Sequence, residues 1–164
     1  MKKPMKLVLI LFALVALILS LPDAIQAWRK NGETVFGTKQ CPETIHIQCQ
    51  AAQETAPVLG TIRDKASVKK LWQMLKGCYY REMLINEVDT DTLIFSQVSF
   101  TFDAASDPKG VLSRAYYQID KDGKYLLAYT AEGEKRLYGV EYFQSRLFQQ
   151  ICEEALENGS LSAA

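Results

Sequence analysis

Val111-Leu-Ser-Arg-Ala-Tyr-Tyr-Gln-Ile119, Asp120-Lys121-Asp122-Gly123 and Lys124-Tyr-Leu-Leu-Ala-Tyr-Thr130 follow one another without interruption. After Ala131-Glu132-Gly133-Glu134 the run continues through Arg136-Leu-Tyr-Gly-Val-Glu-Tyr142. β-Branched and aromatic residues dominate the longer pieces, and Asp/Gly clusters separate them. That combination predicts three antiparallel strands joined by two tight turns, over Val111 to Tyr142. The rest of the chain reads as material that packs on this meander or delivers it to its compartment.

Working back from the meander, Asp107-Pro108-Lys109-Gly110 is a turn. Before it, Thr92 to Phe102 alternates as a long strand. Ile94, Val98, Phe100 and Phe102 share one side with Ser96, while Phe95, Gln97, Ser99 and Thr101 share the other. The first side is apolar along most of its length, so it is the buried one. Tyr79 to Glu87 is a further candidate strand. Asp64 is placed to cap a helix whose Val68, Leu71, Trp72 and Leu75 recur at i, i+3, i+4 and i+7, with Gly77 as its stop. Its lysines lie off that stripe and suit a membrane or partner surface less well than a solvated back. Thr44 to Cys49 alternates as a short strand. Pro57 to Ile62 is a weaker one, and its proline predicts a sheet edge. At the far end, Phe143, Leu147, Phe148, Ile151, Cys152 and Ala155 form the apolar stripe of a second helix, stopped by Asn158-Gly159. The expected architecture is α+β, an antiparallel β-sheet (a meander) with two amphipathic helices packed on one face.

At 164 residues the chain has room for one domain and a leader. Lys2, Lys3 and Lys6 precede an apolar run from Leu7 to Leu21; Pro22-Asp23 breaks it, and Ala24 to Ala27 offers small residues. That is the order of a secretory signal. The competing reading is a retained anchor, although a spanning helix wants about 20 apolar residues. Either way the lysines keep the N-terminus inside and send the remainder out, which predicts an extracytoplasmic protein, secreted or membrane-anchored by residues 7–21. Residues 1–27 are thus signal peptide or N-terminal anchor, 28–43 a tether or arm, 44–158 the domain and 159–164 a tail. The first cysteine, Cys41, is too far from the apolar run to carry a lipid. Removing residues 1–27 takes three lysines and one aspartate from 19 basic and 19 acidic residues, leaving 16 and 18. That balance gives no basic face for nucleic acid.

Cys41, Cys49, Cys78 and Cys152 are even in number and lie downstream of the leader, which predicts disulfides in an oxidising compartment. Three pairings are open; spacing favours Cys41–Cys49 and Cys78–Cys152. Cys41, His46 and Cys49 are also residue types that bind metal, but they lack a fourth ligand and match no zinc spacing, so no metal and no cofactor is expected. His46 is the only histidine, and no cysteine sits in an activating motif for a Cys–His pair, so no catalytic residue is expected. Asp89/Asp91 and Asp120/Asp122 are turn aspartates. A calcium loop built on Asp120-Lys121-Asp122-Gly123 would place Gln118 first and Tyr129 twelfth, which fails.

The remaining candidate is the second side of the sheet. Phe95, Leu112, Tyr116 and Leu126 are expected there, interleaved with Gln97, Arg114 and Gln118. Aromatic and arginine side chains on an open face are interface anchors. The partner-binding set is therefore Phe95, Leu112, Arg114, Tyr116 and Leu126, facing an envelope or extracellular protein, with membrane contact only through the N-terminal segment. The expected function is an exported, non-enzymatic binding or inhibitory module. The alternatives are a membrane-tethered structural or regulatory subunit and, behind it, an envelope hydrolase built around His46.

Several of these features occur together: Ile62-x-Asp64 entering the helix, Val98-Ser99-Phe100, Tyr116 to Tyr125, and Tyr138-Gly139-Val140 before the last helix. The set resembles small exported bacterial domains of unknown function, several from Gram-positive organisms, over about residues 58–156. The resemblance implies export and a helix-plus-meander fold. It implies no activity and carries over no site residue.

Overall fold

The structure is a computed structural model. It describes residues 29–49 and 58–159, together with residues 10, 15 and 16. The leader, the stretch 50–57 and the tail 160–164 therefore lie outside the described residues. So do the side chains of Asp91 and of 155–159, among them Ala155 of the expected stripe.

The fold is α+β, built on one antiparallel sheet of eight strands. In chain order these are β1 (Arg29–Asn31), β2 (Thr44–Cys49), β3 (Val58–Ile62), β4 (Tyr79–Met83), β5 (Phe95–Thr101), β6 (Tyr116–Asp120), β7 (Tyr125–Tyr129) and β8 (Lys135–Glu141). The helices are α1 (Gly32–Phe36), α2 (Lys65–Gly77), α3 (Val111–Arg114) and α4 (Ser145–Gly159). Across the sheet the order is β1-β4-β8-β7-β6-β5-β2-β3. The expected meander is present over β5 to β8. The β2–β3 hairpin extends it on one side, with β3 at the edge that Pro57 predicts. On the other side, β4 and β1 add beside β8, so the chain from β4 to β5 must cross β8, β7 and β6. It does so through two short 3-10 turns, Ile85–Glu87 and Thr90–Thr92. This shortens both strands foreseen around it: β4 stops at Met83 and β5 starts at Phe95.

Alternation along the strands builds a single large core. Ile45 and Ile47 of β2, Val98 and Phe100 of β5, Tyr117 and Ile119 of β6, Leu126 and Ala128 of β7, Tyr138 of β8 and Tyr80 of β4 all belong to it. So do Val68, Leu71, Trp72, Met74 and Leu75 of α2, and Phe148, Ile151 and Cys152 of α4. The α2 stripe thus agrees with its spacing, and Asp64 caps the helix by accepting from the Ser67 amide at 2.9 Å.

Two segments depart from the sequence expectation. The first is the supposed arm. Arg29–Asn31 pairs with β4, and Phe36 of α1 is only 3% exposed. Its ring lies 4.8 Å from Tyr117, 5.5 Å from Trp72, and 5.7 Å from both Tyr80 and Phe100, centroid to centroid. Arg29–Glu141 at 2.9 Å and Lys76–Glu33 at 2.9 Å are solvent-screened surface pairs that contribute little, so it is the buried ring that fixes the segment. Polar composition concealed this, because a single aromatic does the anchoring.

The second is the start of the meander. Val111–Arg114 is a helical turn, and the strand begins only at Tyr116. Asp107, 8% exposed, is the cause. Its carboxylate accepts from the Leu112 amide at 3.1 Å and the Ser113 amide at 2.7 Å, and Gly110 enters the turn at φ 64°. Ser113 Oγ in turn accepts from the Phe102 amide at 3.3 Å. These bonds occupy the backbone donors that a strand ladder would have used. Partial desolvation favours the neutral acid, but the Ser113, Leu112 and Val111 groups outweigh it and hold the Asp107 carboxyl below the usual range.

Candidate functional site: the sheet face opposite the core

Strand alternation puts every second residue on the face away from the core cluster. In register across the sheet, this assembles the row Thr61–His46–Ser99–Tyr116–Tyr129–Lys135, one residue from each of six strands. A second row, Gln48–Gln97–Gln118, runs beside it across β2, β5 and β6. Tyr116 and Tyr129 stack with centroids 4.3 Å apart and planes at 11°. The Tyr129 hydroxyl donates to Gln118 Oε1 at 3.2 Å, and Lys135 Nζ sits 5.6 Å from the Tyr129 ring. His46 bridges two hydroxyls, with Nδ1 3.2 Å from Thr61 Oγ1 and Nε2 3.1 Å from Thr101 Oγ1. A shallow groove of about 170 Å³ lies over β3, β2 and β5, lined by His46, Gln48, Leu59, Thr61, Gln97 and Ser99. From Thr61 to Tyr129 the row carries no acidic, lysine or arginine side chain and is rich in paired donors and acceptors.

The same face is closed further along. Leu127 and Leu137 point to it, yet are 2% and 0% exposed. Leu84, Ile85 and Asn86 of the crossing segment adjoin Leu137, and the Lys121 amide donates to the Ile94 carbonyl at 3.0 Å. The crossing segment thus accounts for the strands nearest β8, and the polar half over β3, β2, β5 and β6 is left open.

The expected binding set is divided by this arrangement. Tyr116 is on the open face, and Phe95 is half-buried at its margin, opposite Asp120. Leu126 is not there: it is 1% exposed and belongs to the core. Each β6–β7 pair joins an even-numbered residue to an odd-numbered one, so parity inverts across the hairpin and Leu126 follows Ile119 inward. Leu112 and Arg114 leave the face because α3 replaces the strand. Leu112 packs against the core, and Arg114 Nε donates to the Gly110 carbonyl at 3.0 Å. Tyr129, Gln48 and His46 were not foreseen on this face, and Ser99, expected there, was left out of the set. The register of the three-strand run would have found Tyr129; nothing local in the sequence shows that β2 lies beside β5.

On the core side, a cleft of about 290 Å³ opens between α1, α3 and the β7–β8 turn, over Phe36, Leu112, Tyr117, Tyr129, Arg136 and Tyr138. Its cations are already engaged: Arg136 Nη2 donates to Glu134 Oε2 at 2.7 Å, and Lys30 pairs with Glu82. That volume is at the bottom of the range for small-molecule sites.

The four cysteines are free thiols, and neither favoured disulfide is formed. Cys49 faces the core side and meets Cys152 of α4. Cys78 donates to the Met74 carbonyl at 3.3 Å, and burial pushes its thiol up to about 11. Cys41 is exposed. Loop length alone had suggested other partners, but tertiary packing brings β2 and α4 together. His46 and Cys49 also point to opposite faces of β2, which removes the Cys41–His46–Cys49 ligand set from geometry as well as spacing. Among the described residues no helix is long and apolar enough to cross a membrane. No family model, curated protein or solved structure matches this chain.

Proposed function

We propose that this chain is an exported, non-enzymatic binding module in which α2 and α4 cover one face of the sheet and the other face docks a protein partner of the envelope or exterior. The row from Thr61 to Tyr129 carries this reading. Its threonine, histidine and serine side chains make a hydrogen-bonding surface without acidic, lysine or arginine groups, which ends at β6 and β7 in the stacked Tyr116–Tyr129 pair, with charge displaced to the rim at Lys135. The lysine-then-apolar order of residues 2–21 supports the export.

Magnitude sets the class of complex. From β3 to β7 the row spans four strand spacings, about 19 Å, and strands of five to seven residues give it a depth of roughly 17–23 Å. The flat footprint is thus on the order of 400 Å², about half of what each side of a standard interface buries. The complex is a weak, exchanging one. The test places a photo-crosslinking residue at position 99, with Lys70 on the back of α2 as the control, and exposes the protein to its own envelope fraction. A single protein should be captured from position 99 alone. Tyr116→Ala should weaken binding of that protein by roughly 30-fold if the stack is an interface hot spot of about 2 kcal/mol. Equal capture from both positions, or binding indifferent to Tyr116→Ala and Ser99→Arg, refutes the reading.

A further inference from the structure

Cys49 and Cys152 are 103 positions apart in the sequence and adjacent in the fold. Three observations place them together. Cys49 alternates with Ile45 and Ile47, so it points to the core side of β2. It pairs with Val58 of β3, the strand on which α4 packs. Cys152 follows Ile151 on the buried side of α4, and both belong to the core cluster against which Cys49 packs. The two thiols are near enough to perturb each other, and Cys49 Sγ is 3.5 Å from Ser96 Oγ.

We propose that Cys49 and Cys152 form a redox-active dithiol, reduced in the structure described, which small-molecule disulfides oxidise to a cross-link tying α4 to β2.

The division of labour follows from the surroundings. Cys49 is half-buried and so is the thiol a reagent can reach; Cys152 is buried behind it. The Cys152 and Ser96 hydrogen bonds favour the Cys49 thiolate, while Cys152 is pushed the other way by the same contact and by burial. In the first step the Cys49 thiolate, its proton lost to solvent, attacks one sulfur of a disulfide RS–SR. The S–S bond breaks, a Cys49–S–SR bond forms, and RS⁻ leaves and takes up a proton. In the second step Cys152 gives up its proton and attacks the Cys49 sulfur, expelling the second RS⁻. The protein dithiol is oxidised by two electrons and RS–SR is reduced to two thiols. Cys78 has no such neighbour; its thiol is bonded to a helix carbonyl. Cys41 is exposed and is expected to stop at the mixed disulfide.

The experiment incubates the folded, full chain with oxidised and reduced glutathione, alkylates the remaining thiols, and digests without reduction. The expected result is a peptide pair joining Cys49 to Cys152, each linked molecule lighter by about 2 Da. Cys41→Ser and Cys78→Ser should leave the link in place. Cys152→Ala should abolish it and leave Cys49 as a stable glutathione adduct, with no resolving thiol beside it. Circular dichroism of each variant checks the fold. A folded protein whose Cys41 takes up glutathione while Cys49 and Cys152 stay unlinked overturns the proposal. So does a link from Cys152 to Cys41 or Cys78.

Discussion

Replacing Phe36 by alanine is the sharpest test of how this fold is held. The residue lies in a segment whose polar sequence reads as a tether, yet its ring touches Trp72, Tyr80, Phe100 and Tyr117. Truncating a buried phenylalanine costs about 3–5 kcal/mol, the transfer of the ring together with the cavity left behind. A domain of roughly 120 residues melts with an entropy near 0.25 kcal/mol/K, so the midpoint should fall by about 12–20 °C. The segment cannot slide to refill the space, because a Cβ at Gly32 would already lie 2.5 Å from Lys76 Cα and 2.8 Å from the Leu75 carbonyl oxygen. The assay is urea unfolding of wild type and Phe36→Ala, followed by circular dichroism and by tryptophan fluorescence. Trp72, next to Phe36, should report the loss directly. A change below about 1 kcal/mol would mean that residues 29–36 do not dock on the core, and would refute the packing argument.

Two further substitutions test the turns that shape the meander. Gly123 sits at φ 68°, and a Cβ there would come within 1.8 Å of Phe143 Cδ1. Gly123→Ala should therefore destabilise by more than the ~1–2 kcal/mol of a left-handed alanine, since Phe143 must also move; an unfolding midpoint equal to wild type would contradict the turn geometry. Asp107 titrates below the usual carboxylate range when folded, so the stability it lends is present above the unfolded-state pKa and is lost as pH falls through the folded one. Asp107→Ala should flatten that acid limb of the stability–pH curve and expose the chain between Asp103 and Ala115 to proteolysis. An unchanged acid limb would show that the carboxylate does not hold α3.

Much of the architecture was legible from periodicity. The α2 stripe of Val68, Leu71, Trp72 and Leu75, the buried Val98 and Phe100 of β5 and Phe102 just after it are local patterns, and burial follows them because a helix or strand exposes one face by geometry alone. Val111–Arg114 was misread because β propensity describes side chains, whereas the outcome was set by an aspartate four residues upstream that claimed the backbone amides. Leu126 was misplaced by one parity step, the smallest error that moves a side chain through a sheet.

What the amino-acid order determined by itself is the α+β class, the strands of the meander and the two long amphipathic helices, all of which depend on interactions within a few residues. The tertiary structure alone decided which strands are neighbours, and with that every feature offered for function. His46 lies beside Ser99, Cys49 beside Cys152, and Phe36 under Trp72 only because the β2–β3 hairpin adds next to β5 and the chain from β4 crosses the sheet. Such pairings join residues tens of positions apart, and the free energy that selects them comes from burying a shared core rather than from any local preference.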